Sequence, residues 1–328
     1  MLARTEYEPK MPLGSDSKQL PSSETGKMFQ CRARMEKLIN LAFKREVIRK
    51  VTDVILPLND VGCGPAFYCV HAIGGVAADF RHMARMLGPE QKFYGIQAPT
   101  DKRNAEFVSS IESISQHYVD ELVKFQPEGP FVLGGHSVGA TIALEMSQQL
   151  TARGREVDLL VVFDGGLLNT GAESSFLNPL YWLKLLCYLP RWINDVLLVK
   201  CSFQGVRRVI VNKAIAAKLS SRHAVESVVN LSAFTPEHAA FMKGLYDRHL
   251  EYVPNSYSGR VLVFVAKIDA LLSHGQVKAV WRKIAPSSEI FEVNGTHVDI
   301  MQMPRGLPVA KRLREKIKEL GEQFRPVG

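Results

Sequence analysis

The 328 residues carry 41 Lys and Arg against 33 Asp and Glu, a net charge of +8, and 46% of them are hydrophobic. That length suits one large α/β domain or two small ones, and the apolar share is that of a globular chain with a sizeable core. No stretch approaches the roughly 18 uninterrupted apolar residues of a membrane-spanning helix, and nothing has the pattern of a nucleic-acid module.

Residues 1–30 are rich in Ser, Lys, Pro and Glu and poor in aliphatic residues, which predicts a disordered leader before a single domain over 31–328. The leader has no apolar run, so it does not read as a secretory signal. The five cysteines, at 31, 63, 69, 187 and 201, form no CxxC pair or metal-type spacing. An odd count without a signal points to reduced thiols in the cytoplasm.

A helix is expected over about 32–49, and from Val51 the pattern alternates. Short apolar runs predict buried strands at 54–58, 66–70, 92–96, 130–135, 158–163, 260–265 and 289–293. Between them lie segments of helical period, such as Ile111, Ile114, Tyr118, Leu122 and Val123 on one face. Strands alternating with helices predict an α/β fold, a mostly parallel sheet covered on both faces.

The rhythm breaks over about 168–255, where helical patterns occur without a core strand. An all-helical insertion of that length reads as a lid over a site at the strands' C-terminal ends. Between Ser175 and Val225 it carries eight basic residues (Lys184, Arg191, Lys200, Arg207, Arg208, Lys213, Lys218 and Arg222) against a single acid, Asp195. Such a patch attracts phosphate groups or an acidic protein, or else forms the solvated face of amphipathic helices.

The sharpest signal is Gly135-His136-Ser137-Val138-Gly139, directly after a predicted strand and before a predicted helix. The G-x-S-x-G pattern in that setting is a nucleophile elbow: Ser137 sits on a strained turn, and the small flanking residues relieve the crowding. The helix that starts there offers backbone N–H groups to a developing oxyanion. His136 reads as structural, because a neighbour in sequence is badly placed to act as base.

A serine nucleophile needs a base and an acid to orient it, which follow in the order Ser, Asp or Glu, His in this fold. His297, in the loop Asn294-Gly295-Thr296-His297 after the last predicted strand, is the expected base. Two acids can serve: Asp164 closes the strand at 158–163, and Asp269 follows the strand at 260–265. Oxyanion donors are expected at Val138 and at Ala72 or Ile73, in the glycine-containing turn 69–75, with His71 shaping that loop.

The run from Phe67 to Pro99 resembles the opening of the thioesterase domains that terminate non-ribosomal peptide and polyketide synthases. The blocks at 134–150, 159–166 and 294–301 continue the resemblance in order, within about 52–322. It implies an α/β-hydrolase fold with a helical lid, a Ser137–His297–Asp164 triad rather than one using Asp269, and an acyl-enzyme released by hydrolysis or cyclisation. It also implies a carrier protein as partner, whose phosphopantetheine arm is part of the substrate, with no metal or redox cofactor required. Carriers of this kind are generally acidic, which suits the basic segment.

Three departures stand out. Ala72 replaces the usual proline, Val138-Gly139-Ala140 follows the nucleophile where synthase domains often have two glycines, and no carrier domain precedes the hydrolase residues. Action in trans, or separation from a synthase, is therefore expected. Discrete editing thioesterases, with Ser-Met-Gly and the later acid, are an alternative, and so is a carboxylesterase or lipase using the same triad on oxygen esters.

Overall fold

A computed structural model describes residues 53–62, 64–99, 107–165, 231–267 and 276–323. The expected leader, the helix over 32–49, residues 166–230 with all of the basic segment, and Asp269 lie outside the described residues.

Seven strands form one sheet: β1 (Ile55–Asn59), β2 (Phe67–Val70), β3 (Phe93–Ile96), β4 (Phe131–His136), β5 (Val157–Phe163), β6 (Val261–Ala266) and β7 (Glu289–Val293). Each coincides with a predicted run to within a residue or so. Their order across the sheet is β1-β3-β2-β4-β5-β6-β7. Only β1 runs antiparallel to its neighbour; the other five pairings are parallel.

The apolar runs are nearly continuous because both faces of the sheet are covered. In β5, Leu160 and Val162 join one core cluster, while Leu159, Val161 and Phe163 join the other. The first cluster is completed by helices α2 (Ile111–Phe125), α3 (Val138–Ala152) and α4 (Pro236–Glu251). The second is completed by α1 (Arg81–Leu87) and α6 (Leu307–Gln323). The sixth described helix, α5 (Gln276–Ile284), leads into β7.

Helix α2 starts at Ser110, whose side chain accepts from the Ser113 amide, and it buries Ile111, Ile114, Tyr118, Val119 and Leu122. Four of the five predicted residues lie on this face, Val119 widens it, and the fifth, Val123, is only partly buried against the same core. Helix α3 departs from an amphipathic pattern, for eleven of its fifteen residues are buried. It is sandwiched between the sheet and the helices α2 and α4, so it has almost no solvent face.

Within the expected lid, the described part is a short 3-10 turn at Leu231–Ala233 followed by α4. Thr235 caps α4 by accepting from the His238 amide, Pro236 fits its first turn, and Phe241, Met242, Leu245 and His249 are buried. This end of the insertion is helical, as expected, and is anchored in the core.

Candidate active site

Parallel strands deliver their C-terminal ends to one edge of the sheet, where the loops after β2, β4, β5 and β7 gather the candidate residues. Ser137 follows β4 directly with φ 59° and ψ −124°, a left-handed conformation that a serine adopts only under constraint. The constraint comes from both sides. The Ser137 amide donates to the Phe163 carbonyl (3.1 Å), and the Ser137 carbonyl accepts from the Ala140 amide (3.1 Å) as α3 begins.

The flanking glycines are required sterically. A Cβ on Gly135 would run into the Gly139 backbone, and one on Gly139 would strike the carbonyls of Val70 and His71. Residues 138–139 therefore pack directly against the end of β2. This brings the N-terminal turn of α3 beside the loop that holds Ala72 and Ile73, so Val138 and that loop form one neighbourhood.

The loop after β2 has its own internal order. The Gly75 amide donates to the Ala72 carbonyl (3.0 Å), and His71 is buried beneath it. His71 Nδ1 lies 2.5 Å from the Ala72 carbonyl oxygen and its Nε2 lies 2.7 Å from the Tyr118 hydroxyl. A carbonyl only accepts, so Nδ1 carries the proton and Nε2 accepts from the tyrosine. His71 thus ties the loop to α2, in keeping with a shaping role.

Asp164 closes β5 with φ 48° and is 7% exposed. Its amide donates to the Phe264 carbonyl (2.8 Å), and its Oδ1 accepts from the Ala266 amide (2.8 Å). The other oxygen, Oδ2, lies 2.9 Å from Nδ1 of His297. The carboxylate is therefore oriented by the backbone of β6 on one side and faces the imidazole on the other. Behind it, the buried Trp281 indole donates to the Gly165 carbonyl (2.7 Å), pinning the residue after Asp164.

With Asp164 accepting at Nδ1, a neutral His297 keeps its bare lone pair on Nε2, the state a general base requires. The loop carrying it is held by a residue that the sequence reading passed over. Asp299 Oδ1 accepts from the Thr296 amide (2.5 Å), and its Oδ2 faces Arg305 at 3.4 Å. A carboxylate two residues beyond the histidine was the available signal, since Asp commonly ties down turn backbone.

Two of the predicted residues, Asp164 and His297, are hydrogen-bonded across 133 positions of sequence, and Ser137 directly follows His136, whose ring stacks on that of His297. Gly139, next to Val138, packs against the carbonyls of Val70 and His71, just before Ala72 and Ile73. His136, read as structural, also reaches into this site, its Nε2 lying 2.8 Å from the His297 carbonyl oxygen.

Residues 65–173 match the family model described as the thioesterase domain. Over that stretch the chain is similar to thioesterase domains. Malpibaldin synthetase from Mortierella alpina is 34% identical to it over 112 residues, which are 34% of this chain and 2% of that protein. A dimodular nonribosomal peptide synthase from Bacillus subtilis (strain 168) is 33% identical over 112 residues, 34% of this chain and 5% of that protein. The chain therefore spans only a small fraction of the relatives it matches.

The chain also resembles the crystal structure of the NocB thioesterase domain from the nocardicin cluster. That match has a TM-score of 0.55 at 24% identity, over 81% of this chain and all of the other. At that identity the likeness speaks for the fold, and it agrees with the mostly parallel sheet flanked by helices: an α/β-hydrolase fold. The matched residues include the loop at 69–75, the elbow and Asp164, whereas His297 lies beyond them.

Proposed function

We propose that this chain is a serine thioesterase that releases acyl or peptidyl chains from a carrier-protein phosphopantetheine thioester. Ser137 is the nucleophile, His297 the base and Asp164 its orienting acid. The observation that carries this reading is the 2.9 Å contact between Asp164 Oδ2 and His297 Nδ1, at the sheet edge where Ser137 occupies a strained elbow. The relatives in peptide synthases support a carrier-bound substrate.

In this mechanism the Ser137 oxygen attacks the thioester carbonyl as its proton passes to His297 Nε2. The oxyanion of the tetrahedral intermediate is met by the N–H of Val138 and an N–H of Ala72 or Ile73, each worth about 3 kcal/mol. The C–S bond breaks, His297 returns the proton to the leaving thiolate, and the acyl group remains on Ser137. Water, or a nucleophile within the chain itself, then attacks the ester in the same geometry and frees Ser137. The imidazolium formed twice in this cycle is stabilised by Asp164, which stays ionised.

The rest of the reading concerns surroundings. The domain spans 31–328, with a lid over about 168–255, whose basic residues meet an acidic carrier. Among the described residues no helix is long and apolar enough to cross a membrane. A cytoplasmic site of action is part of the proposal, supported by the odd count of five cysteines in the sequence.

A fluorophosphonate probe tests the assignment. It should label the wild type and leave Ser137→Ala unlabelled, and the wild type should turn over an acyl thioester faster than the matched oxygen ester. Equal labelling of both proteins would remove Ser137 from the chemistry. Preference for the oxygen ester would make the protein a carboxylesterase on the same triad. Docking to an acidic carrier predicts that replacing Arg207, Arg208 and Lys213 with Gln slows carrier-bound turnover at low salt and spares small soluble thioesters.

A further inference from the structure

His136 is the last residue of β4 and the immediate neighbour of Ser137. Its Nε2 lies 2.8 Å from the backbone carbonyl oxygen of His297, and the two imidazole rings stack with centroids 4.8 Å apart and planes 29° from parallel. A carbonyl oxygen only accepts, so His136 donates an Nε2–H to it. We propose that His136 is a positioning residue for the reaction, its donated hydrogen bond and stacked ring holding His297 in register with Ser137. The inference rests on the roles assigned above to those two residues.

The physical need is plain from the chain's connectivity. His297 sits in a loop between β7 and α6, and its side chain remains 32% exposed. Asp164 restrains the imidazole at one nitrogen and Asp299 ties the Thr296 amide, but neither of these bonds is made to the His297 carbonyl. The contact with His136 restrains that carbonyl directly. Because His136 and Ser137 are consecutive, and the Ser137 amide is bonded to Phe163 of β5, the anchor and the nucleophile share one stiff strand end. Errors of about 1 Å in such an arrangement cost on the order of 100-fold in rate.

Charge gives a second reason for a histidine that stays neutral here. The groups facing His136 are His297 and Asp164. Burial, and then the nearness of His297, push the His136 pKa down to about 4. His297 becomes a cation each time it takes the serine proton, and a charged ring stacked upon it would oppose that step. A neutral donor holds the carbonyl without that penalty.

Two replacements separate the hydrogen bond from the ring. His136→Gln keeps an N–H at about the reach of Nε2, while His136→Phe keeps a flat ring and loses the donor. The readouts are the rate of fluorophosphonate labelling at Ser137, kcat and KM on a small soluble thioester, and thermal unfolding. For His136→Phe, labelling and kcat should fall about 10- to 100-fold with KM little changed. His136→Gln should stay within about threefold of wild type, as expected when a hydrogen bond of similar worth is kept.

Wild-type rates in His136→Phe, or equal loss in both variants, would overturn the proposal. If His136→Phe does not fold, His136→Gln decides alone, near-wild-type rates supporting the hydrogen bond and a tenfold or greater loss refuting it. Failure of the wild type itself to label at Ser137 would instead strike the reading of the triad, so the two failures remain distinct.

Discussion

The Nε2 of His238, in the first turn of α4, lies 2.8 Å from the carbonyl oxygen of Gly74, 164 positions away in sequence. One turn further along the helix, Phe241 packs so closely on Gly75 that any Cβ there would strike its ring. Gly75 also holds φ 73°, a value that favours glycine. Helix α4 therefore grips the same turn that is proposed to supply an oxyanion N–H.

From this contact, His238→Ala should lower kcat about tenfold by loosening that turn, with little change in thermal stability because the rest of the helix stays packed. Phe241→Ala should behave differently. Removing a ring that is only 3% exposed should cost about 3–5 kcal/mol of stability as well as rate. Steady-state kinetics on a soluble thioester beside urea unfolding would check both. A His238→Ala enzyme with undiminished kcat would detach α4 from the oxyanion turn.

Asp164→Asn tests the acid. An amide in that position can still accept from the Ala266 amide through Oδ1, so folding should survive. Its other atom then becomes an N–H facing His297, which favours the opposite tautomer and places the proton on Nε2. Activity should fall by roughly 10⁴-fold, as wrong-tautomer replacements do, with circular dichroism unchanged. Asp269→Asn should lose far less. The reverse ranking in kcat would move the acid to Asp269 and the protein towards the discrete editing type.

His136 also makes a stability prediction. Its pKa is lowered from the usual 6.5 to about 4, so the folded state holds the neutral ring while the unfolded chain takes up a proton first. The contribution is therefore fully present above pH 6.5 and is lost progressively as pH falls towards 4. Urea midpoints for wild type and His136→Gln should converge across that window as acidity rises, because glutamine does not titrate. Parallel midpoint curves would show that the ring is not held neutral.

Much of this protein is legible in one dimension. Strands buried on both faces must be continuous apolar runs, so β2 to β6 stood out at Phe67, Phe93, Phe131, Val157 and Val261, and the partly exposed edge strands β1 and β7 were read from the runs near Ile55 and Glu289. The elbow was readable because its demands are local: Gly135, Ser137 and Gly139 must stand at fixed offsets between a strand and a helix. What only the tertiary structure decided depends on which strand ends become neighbours. The sheet order places β5 between β4 and β6, and this brings Asp164 beside Ala266 and lets its carboxylate meet His297 across 133 positions. The same holds for His136 beneath His297 and for His238 on Gly74, contacts spanning 161 and 164 positions. No pattern along the chain encodes a hydrogen bond of that reach, because its partners are selected by strand order and packing and not by spacing.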